Sequence, residues 1–306
     1  MPAINTYQPV DYTKAIVQPI PNESWHAKGV HADVLRLDLI HPVLSGNKWF
    51  KLKYYLQQAK AQKQGILTFG GAYSNHLVAT AIACKLEDIP AIGIVRGEPA
   101  TTLSPTLLEV QTYGMQLQFV SRTTFQDEQA LIASMQEAYP GYLIVPAGGQ
   151  GAEGVRGATE ILSLANRQAY TQIACAIGTG TMFTGLIKAL FPHQHALGFS
   201  SLKIADHQHN SILDFIKTHA APSRFSVIYD YHFGGYARKN STLIDFMNNL
   251  YKTYTLPTDF VYTGKLMYGI NELIHNDYFP IDSRILLIHS GGLQGNRSLA
   301  PGILTF

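Results

Sequence analysis

The 306-residue chain is 46% hydrophobic and only 14% charged, with a formal net charge of +2. That is enough apolar side chain for one large or two medium domains, and a charged fraction below the roughly 25% of typical soluble proteins leaves apolar surface for an oligomer interface. The near-neutral balance excludes a bulk attraction to nucleic acid or an anionic membrane, and neither is expected as a partner.

Residues 1–24 (MPAINTYQPVDYTKAIVQPIPNES) show no basic start followed by an apolar run, so no signal peptide is expected. No window approaches the roughly eighteen apolar residues of a spanning helix. Cys84 and Cys175 both lie in apolar segments. This predicts free thiols and a reducing, cytoplasmic location.

The stretch SGNKWFKLKYY (45–55) carries Lys48, Lys51 and Lys53 beside four aromatics, at a probable helix start. By itself it predicts a solvated helix face. Segment 66–70 (ILTFG) is predicted as a buried strand, and 74–89 follows with apolar and small residues at helical spacing. Strands are predicted at 90–97, 115–121 and 142–149, with helices at 102–114 and 123–140 between them. This rhythm predicts a parallel sheet covered on both faces. A glycine-rich break spans 148–157. Beyond it, helices are predicted at 157–170, 181–194, 241–254 and 264–276, and strands at 173–179, 195–203, 224–233 and 284–292. The break and the resumed rhythm predict two α/β domains with a cleft between them.

Four strands run into glycine-rich turns: LTFGG-AYSNH, IVPAGGQGAEG, CAIGTGTMFTG and LLIHSGGLQG. Ligands of parallel sheets bind outside the carboxyl ends of strands, so the four turns are expected to form one site. GTGTMFTG (178–185) opens a helix after a strand, and its glycines and threonines suit a phosphate. It lacks the Gly-Lys-Ser/Thr of a Walker loop. Gly149, Gly151 and Gly154 match G-x-G-x-x-G, but no acidic residue follows at dinucleotide-binding distance.

The pairs His193/His195 and His207/His209 lie in polar connectors without a completing ligand set, so no metal is expected. GAYSNH lacks the G-x-S-x-G of a hydrolase elbow. Ser74 or Asn75 suffices as a helix cap there, yet Ser74, Asn75 and His76 give three polar side chains at one strand end. Tyr236 and Tyr262 each follow turn-like sequence, and Thr263 precedes a helix.

In this order, SGNKWFKL, GGAYSNH, PAGG, GTGTMFTG, FGGY, DFVYTGK and HSGG resemble the pyridoxal-phosphate (PLP) enzymes of the second fold type. The resemblance is to the branch of 1-aminocyclopropane-1-carboxylate (ACC) deaminase and D-cysteine desulfhydrase, and it runs from about Leu35 to Gly292. It implies two three-layer α/β/α domains with mostly parallel sheets, as in the β subunit of tryptophan synthase. Residues 1–47 with 158–306 would form the large PLP-binding domain and 48–157 the small one.

The resemblance further implies that Lys48 anchors PLP covalently, with Lys51 near its phosphate and helping to depress the pKa of Lys48. Asn75 would bond the phenolic oxygen, and Gly178, Thr179, Gly180 and Thr181 would hold the phosphate. Thr263 would meet the pyridine nitrogen. Ser74, Asn75 and His76 would receive the substrate, with Ser74 and His76 taking its carboxylate or relaying a proton. Tyr236 and Tyr262 would face it with Lys48 as catalytic groups.

The ACC deaminase pattern V-Y-E-G-K has glutamate where this chain has Thr263. The V-Y-T-G-K pattern of D-cysteine desulfhydrases is present, so β-elimination of a small D-amino acid is expected, and ACC deamination is the alternative. A binding protein without useful catalysis is the alternative of another class. Three departures stand out: the basic-acidic pair ahead of the lysine is reduced to Leu35-Arg36-Leu37-Asp38, the chain is shorter than typical members, and Trp49-Phe50 replaces a small-basic pair and is expected to reshape the site or the domain interface. Lys53 is expected to face solvent. A homodimer is expected from the family and from the low charge content.

Overall fold

The computed structural model describes residues 6–203, 206–220 and 224–306, with 206–211 described by backbone alone. In chain order the strands are β1 (Val17–Pro19), β2 (Val30–Arg36), β3 (Gly65–Gly70), β4 (Ala91–Arg96), β5 (Gln116–Val120), β6 (Tyr142–Val145), β7 (Gln172–Ile177), β8 (His195–Ser200), β9 (Phe225–Ile228) and β10 (Ser283–His289). The helices are α1 (Glu23–Ala27), α2 (Asn47–Gln62), α3 (Asn75–Leu86), α4 (Pro105–Thr112), α5 (Arg122–Gln126), α6 (Glu128–Ala138), α7 (Ala152–Ala158), α8 (Thr181–Lys188), α9 (Asp206–His219), α10 (Ser241–Tyr254) and α11 (Thr263–His275).

The strands form two sheets, ordered β1-β2-β10-β7-β8-β9 and β5-β4-β3-β6. Every pairing is parallel except β1 against β2. Side chains alternate between faces along a strand. On β10, Ile285 and Leu287 join one hydrophobic cluster while Leu286 and Ile288 join another. In the smaller sheet Ile66 and Leu67 divide in the same way. Both faces of both sheets are therefore covered, as expected for α/β/α layering.

Helix α3 shows how the sequence dictates the local fold. The Ser74 side chain accepts the Leu77 N–H and starts the helix. Residues 76–84 that follow are all buried, so this helix is apolar on every side and lies inside the layers. Helix α2 starts at Gly46, whose φ is 65°. A Cβ there would stand 1.9 Å from the Ser290 carbonyl oxygen, so only glycine fits. At Gly157 a Cβ would lie 1.7 Å from the Phe50 carbonyl oxygen, so glycine is what lets α7 pack on α2.

Several expected elements differ. The helix expected over 157–170 stops at Ala158 and gives way to short 3-10 turns at Ile161–Leu164 and Arg167–Ala169. The Thr159 and Ser163 hydroxyls bond to the carbonyls of Arg156 and Glu160, offering local partners that compete with a helix. The helix expected over 181–194 ends at Lys188, ahead of Pro192, and the Gln194 side chain takes the Phe191 N–H. Asp127 splits 123–140 by capping α6. Among the described residues no helix is long and apolar enough to cross a membrane.

Candidate active site

The four glycine-rich turns meet where α2 begins. Asn47 N–H bonds to the Ser290 carbonyl at 3.1 Å, tying the lysine-bearing helix to the turn after β10. Asn75 Nδ2 donates to the Gly292 carbonyl at 3.2 Å, which brings in the turn after β3. A Cβ on Gly148 would lie 3.0 Å from Thr179 and 4.0 Å from Lys51 Nζ, so the turns after β6 and β7 face each other across that lysine.

Beneath them lies a buried ionic network. Arg36 donates through Nε and Nη2 to the two oxygens of Asp38 at 2.8 and 2.6 Å, and His289 Nδ1 is 3.2 Å from Asp38 Oδ1. Burial alone would raise the Asp38 carboxyl; His289 and Arg36 outweigh it and hold the pKa below the usual carboxylate range. The basic-acidic pair, reduced in sequence to Leu35-Arg36-Leu37-Asp38, forms a bidentate ion pair, and through His289 it braces the strand that leads to Ser290.

Lys48 is half-buried, and its ammonium donates to Asn47 Oδ1 at 2.9 Å. Burial lowers its pKa to about 8, against an opposing pull from Asp259. Lys51 is buried and forms no ion pair among the described residues. Burial, and then the charge of Lys48, hold it well below the ordinary lysine range, while Cys175 opposes. Lys51 was expected to depress Lys48. The effect runs the other way: burial is what lowers Lys48, and it is the charge of Lys48 that helps lower Lys51, the deeper of the two.

Thr179 and Thr181 hydroxyls lie 3.0 Å apart at the N-terminus of α8. Gly178 sits against the Tyr262 ring, where a Cβ would come within 3.2 Å. Tyr236 is 54% exposed and meets Tyr262 edge-on, with ring centroids 6.1 Å apart. Burial, then Tyr236, keep the Tyr262 phenol far above its usual pKa, so it stays protonated.

Three expected placements change. His76 is buried with Nε2 on Thr68 Oγ1 at 2.8 Å, so that ring nitrogen is already engaged inside the fold. Thr263 is also buried; its hydroxyl donates to Asp259 Oδ1 at 2.7 Å and accepts the Asp259 N–H at 2.8 Å. Its one proton is committed, so it offers no donor to a ring nitrogen. Of the two places expected for Trp49 and Phe50, the site or the domain interface, the second holds for Trp49, which packs against the cores of both sheets. Phe50 is buried in the core beside Leu35 and Ile161, and Trp49 Nε1 donates to the Tyr12 hydroxyl at 2.6 Å. Lys53, expected to face solvent, pairs with Glu160.

Two residues escape the sequence reading. Asp259 accepts the N–H groups of Val261, Tyr262 and Thr263 at 2.8–3.0 Å and so fixes the start of α11. An acidic residue just ahead of a predicted helix was the available signal. Lys265 is buried and donates to the carbonyls of Ser201, His232 and Gly235, the last at 2.7 Å, fastening the loop that carries Tyr236. Nothing in the sequence marks a lysine as buried.

His193 is exposed and stacks on Phe191, while His195 bonds Ser226 at 2.9 Å. The side chains of His207 and His209 lie outside the described residues. Among the described residues no group of three or more His, Cys, Asp or Glu could hold a metal ion.

A family model described as "Pyridoxal-phosphate dependent enzyme" matches residues 17–291. The chain belongs to the pyridoxal-phosphate-dependent enzyme family. It is 28% identical to a Pyrococcus furiosus protein provisionally named 1-aminocyclopropane-1-carboxylate deaminase, covering 95% of this chain and 93% of that one. It is 26% identical to the Arabidopsis thaliana bifunctional D-cysteine desulfhydrase/1-aminocyclopropane-1-carboxylate deaminase, over 90% and 77% of the two chains. A crystal structure of an ACC deaminase homologue superposes with a TM-score of 0.79 at 23% identity, covering 96% of this chain and 92% of that one, which supports the shared fold.

The residues of this chain fit the family's cofactor. Lys51 is a buried amine with no ion pair among the described residues, near the Thr179 and Thr181 hydroxyls and the N-terminus of α8, a set of donors that suits a phosphate. Asn75 is held at the turn with Oδ1 buried and unpartnered, and its second amide N–H is free for an oxyanion. Lys48 has the lowered pKa that a nucleophilic amine requires.

Proposed function

We propose that the chain is a PLP-dependent lyase that eliminates the β-substituent of a small D-amino acid, D-cysteine above all. The products are pyruvate, ammonia and hydrogen sulfide. The observation that carries this reading is Thr263. Residue 263 is neutral, with its hydroxyl proton held by Asp259, where the ACC deaminase pattern has a carboxylate. β-Elimination of a thiol demands less electron withdrawal than opening an unactivated cyclopropane. The D-cysteine desulfhydrase half of the Arabidopsis relative's name supports the same assignment.

The cofactor, when bound, supplies the electron sink. The chain supplies position and protons. Lys51, Thr179, Thr181 and the backbone of Gly178–Thr181 would hold the phosphate, and Asn75 the phenolic oxygen. The Ser74 oxygen is occupied by the Leu77 N–H, which leaves its proton free for a substrate carboxylate at the N-terminus of α3. With a pKa of about 8, roughly a tenth of Lys48 is neutral at pH 7 and able to take the Cα proton. Tyr262, kept protonated, would return or hold a proton near the leaving group, with Tyr236 at the entrance.

The second reading is ACC deamination. It is favoured by Asp259, a buried carboxylate one hydrogen bond behind Thr263, and by the name of the Pyrococcus relative. Side-by-side turnover decides between them. We expect sulfide and pyruvate from D-cysteine in excess of α-ketobutyrate from ACC; faster ACC turnover would reverse the assignment. Purified protein should show a visible absorption band that is lost in Lys48→Ala, and wild-type protein that stays colourless with added PLP would sink both readings.

A further inference from the structure

Lys265 is buried in the first turn of α11, and its ammonium forms no ion pair among the described residues. Its partners are three backbone carbonyls: Gly235 at 2.7 Å, His232 at 2.8 Å and Ser201 at 3.4 Å. Burying an ammonium is costly unless it is hydrogen-bonded, and these carbonyls supply its bonds.

His232 and Gly235 open two consecutive turns. The Gly235 N–H bonds to the His232 carbonyl at 3.0 Å, and the Arg238 N–H bonds to the Gly235 carbonyl at 3.1 Å. Neither turn has the residues its backbone asks for. In 232–235 the central Phe233 and Gly234 have φ of 53° and 91°, a pattern that favours Asn-Gly. In 235–238 the second central residue, Ala237, has φ of 52°, where Gly or Asn is favoured. Tyr236 is the first central residue of that turn. Phe233 and Ala237 thus place strained backbone on both sides of Tyr236, and Lys265 holds the opening carbonyl of each turn.

The third partner leads to the phosphate turn. Ser201 donates through its N–H and its hydroxyl to the Ile177 carbonyl, at 3.2 and 3.0 Å. Ile177 ends β7 and precedes Gly178, against which the Tyr262 ring packs. Tyr262 in turn stands at the cap of the helix that carries Lys265. One ammonium therefore joins the loop of Tyr236, the end of β7 and the helix of Tyr262, and the two tyrosine rings meet edge-on.

We propose, on the reading above that the two tyrosines face the substrate, that Lys265 is a positioning residue for Tyr236: it holds two strained turns in the shape that sets the Tyr236 ring against Tyr262. Without the ammonium the turns relax and Tyr236 leaves Tyr262, while the start of α11, fixed by Asp259, stays in place.

The loop reports its own release. Arg238 and Lys239 are exposed just beyond Tyr236, so trypsin cuts there when the loop opens. For Lys265→Met we expect cleavage at this point about tenfold faster than in the wild type, the scale of losing hydrogen bonds to a charged group. Adding Ala237→Gly, which takes a positive φ freely, should recover most of the protection; a packing role for the lysine stem would not respond to it. On D-cysteine, KM should rise about tenfold with kcat changed less. Tyr236→Ala should raise KM in the wild type and add little in the Lys265→Met background. If Lys265→Met does not fold, Lys265→Gln, which keeps a donor without the charge, should move both readouts in the same direction by less. Unchanged cleavage, cleavage that Ala237→Gly fails to slow, or KM effects of Lys265→Met and Tyr236→Ala that simply multiply would overturn the proposal. Wild-type protein that turns over neither D-cysteine nor ACC would instead defeat the proposed function, and cleavage would still decide the role of Lys265.

Discussion

Thr263 and Asp259 are joined twice: the threonine hydroxyl donates to Oδ1 at 2.7 Å and accepts the aspartate N–H at 2.8 Å. The pair closes a ring at the start of α11, next to Tyr262. Asp259→Asn removes the charge that faces three backbone N–H groups and leaves one of its amide groups poorly matched. We expect destabilisation by about 3–5 kcal/mol, the range for breaking a buried charged network. Thr263→Ser, which keeps the hydroxyl, should cost under about 1.5 kcal/mol. Urea unfolding of the two variants checks the order.

Lys48 and Lys265 both titrate near pH 8 in the fold, because burial disfavours their charge. In the unfolded chain they hold their protons to about 10.4. Between these values the unfolded state binds more protons, so stability of the cofactor-free protein rises with pH. The destabilising effect of the two buried charges is full below pH 8 and relieved toward pH 10. Tyr262 acts in the opposite sense above that, since its raised pKa leaves the unfolded state to ionise first. Urea midpoints should climb from pH 7.5 to 9.5, and Lys265→Met should flatten the climb. A midpoint that falls throughout this window contradicts the assignment of both lysines.

Ser74 has two separable jobs, as a cap and as a donor. Ser74→Ala should lose about 1 kcal/mol of stability and also raise KM. Ser74→Asp keeps an N-cap oxygen and should keep the stability, while its charge repels a substrate carboxylate. We expect KM to rise more than tenfold in Ser74→Asp with the melting temperature within a few degrees of wild type. Equal KM values for serine and aspartate would remove Ser74 from the substrate contact.

Phe50 lies in the core between α2 and the elements around Ile161. Phe50→Ala should destabilise by about 3–5 kcal/mol. The ratio of D-cysteine to ACC turnover should stay within about twofold of wild type, because the ring is buried in the core cluster with Leu35 and Ile161. A changed ratio would return Phe50 to the specificity-determining residues.

What the sequence shows and what it hides have separate physical causes. β3, β4 and β10 were legible because burial on both faces leaves continuous apolar runs, and α3 because a serine cap precedes an apolar helix. β2 was not assigned as a strand: His31 and Asp33 interrupt its apolar run, and they are tolerated because His31 is exposed, with its ring tilted against His26, and Asp33 accepts the Tyr170 hydroxyl at 2.7 Å. The positions around the ligand turns were legible as an ordered set of motifs. Their partners were not. Lys265 acts through the carbonyls of Ser201, His232 and Gly235, and Thr68 through that of Val145, and these relationships exist only once distant segments touch, whereas Asp259 caps amides two to four residues on. For the same reason Lys53 and Glu160, far apart in the chain, gave no sign of pairing.

The contact between Gly46 and Ser290 has a consequence for biosynthesis. The helix that carries Lys48 takes its starting geometry from a carbonyl at the end of β10, among the last parts of the described chain to emerge during translation. Domains generally assemble as synthesis proceeds from the N-terminus, yet this amine acquires its setting only when the closing strand docks. The setting of Lys48 is therefore non-local: the helix that carries it is anchored by a turn from the far end of the described residues.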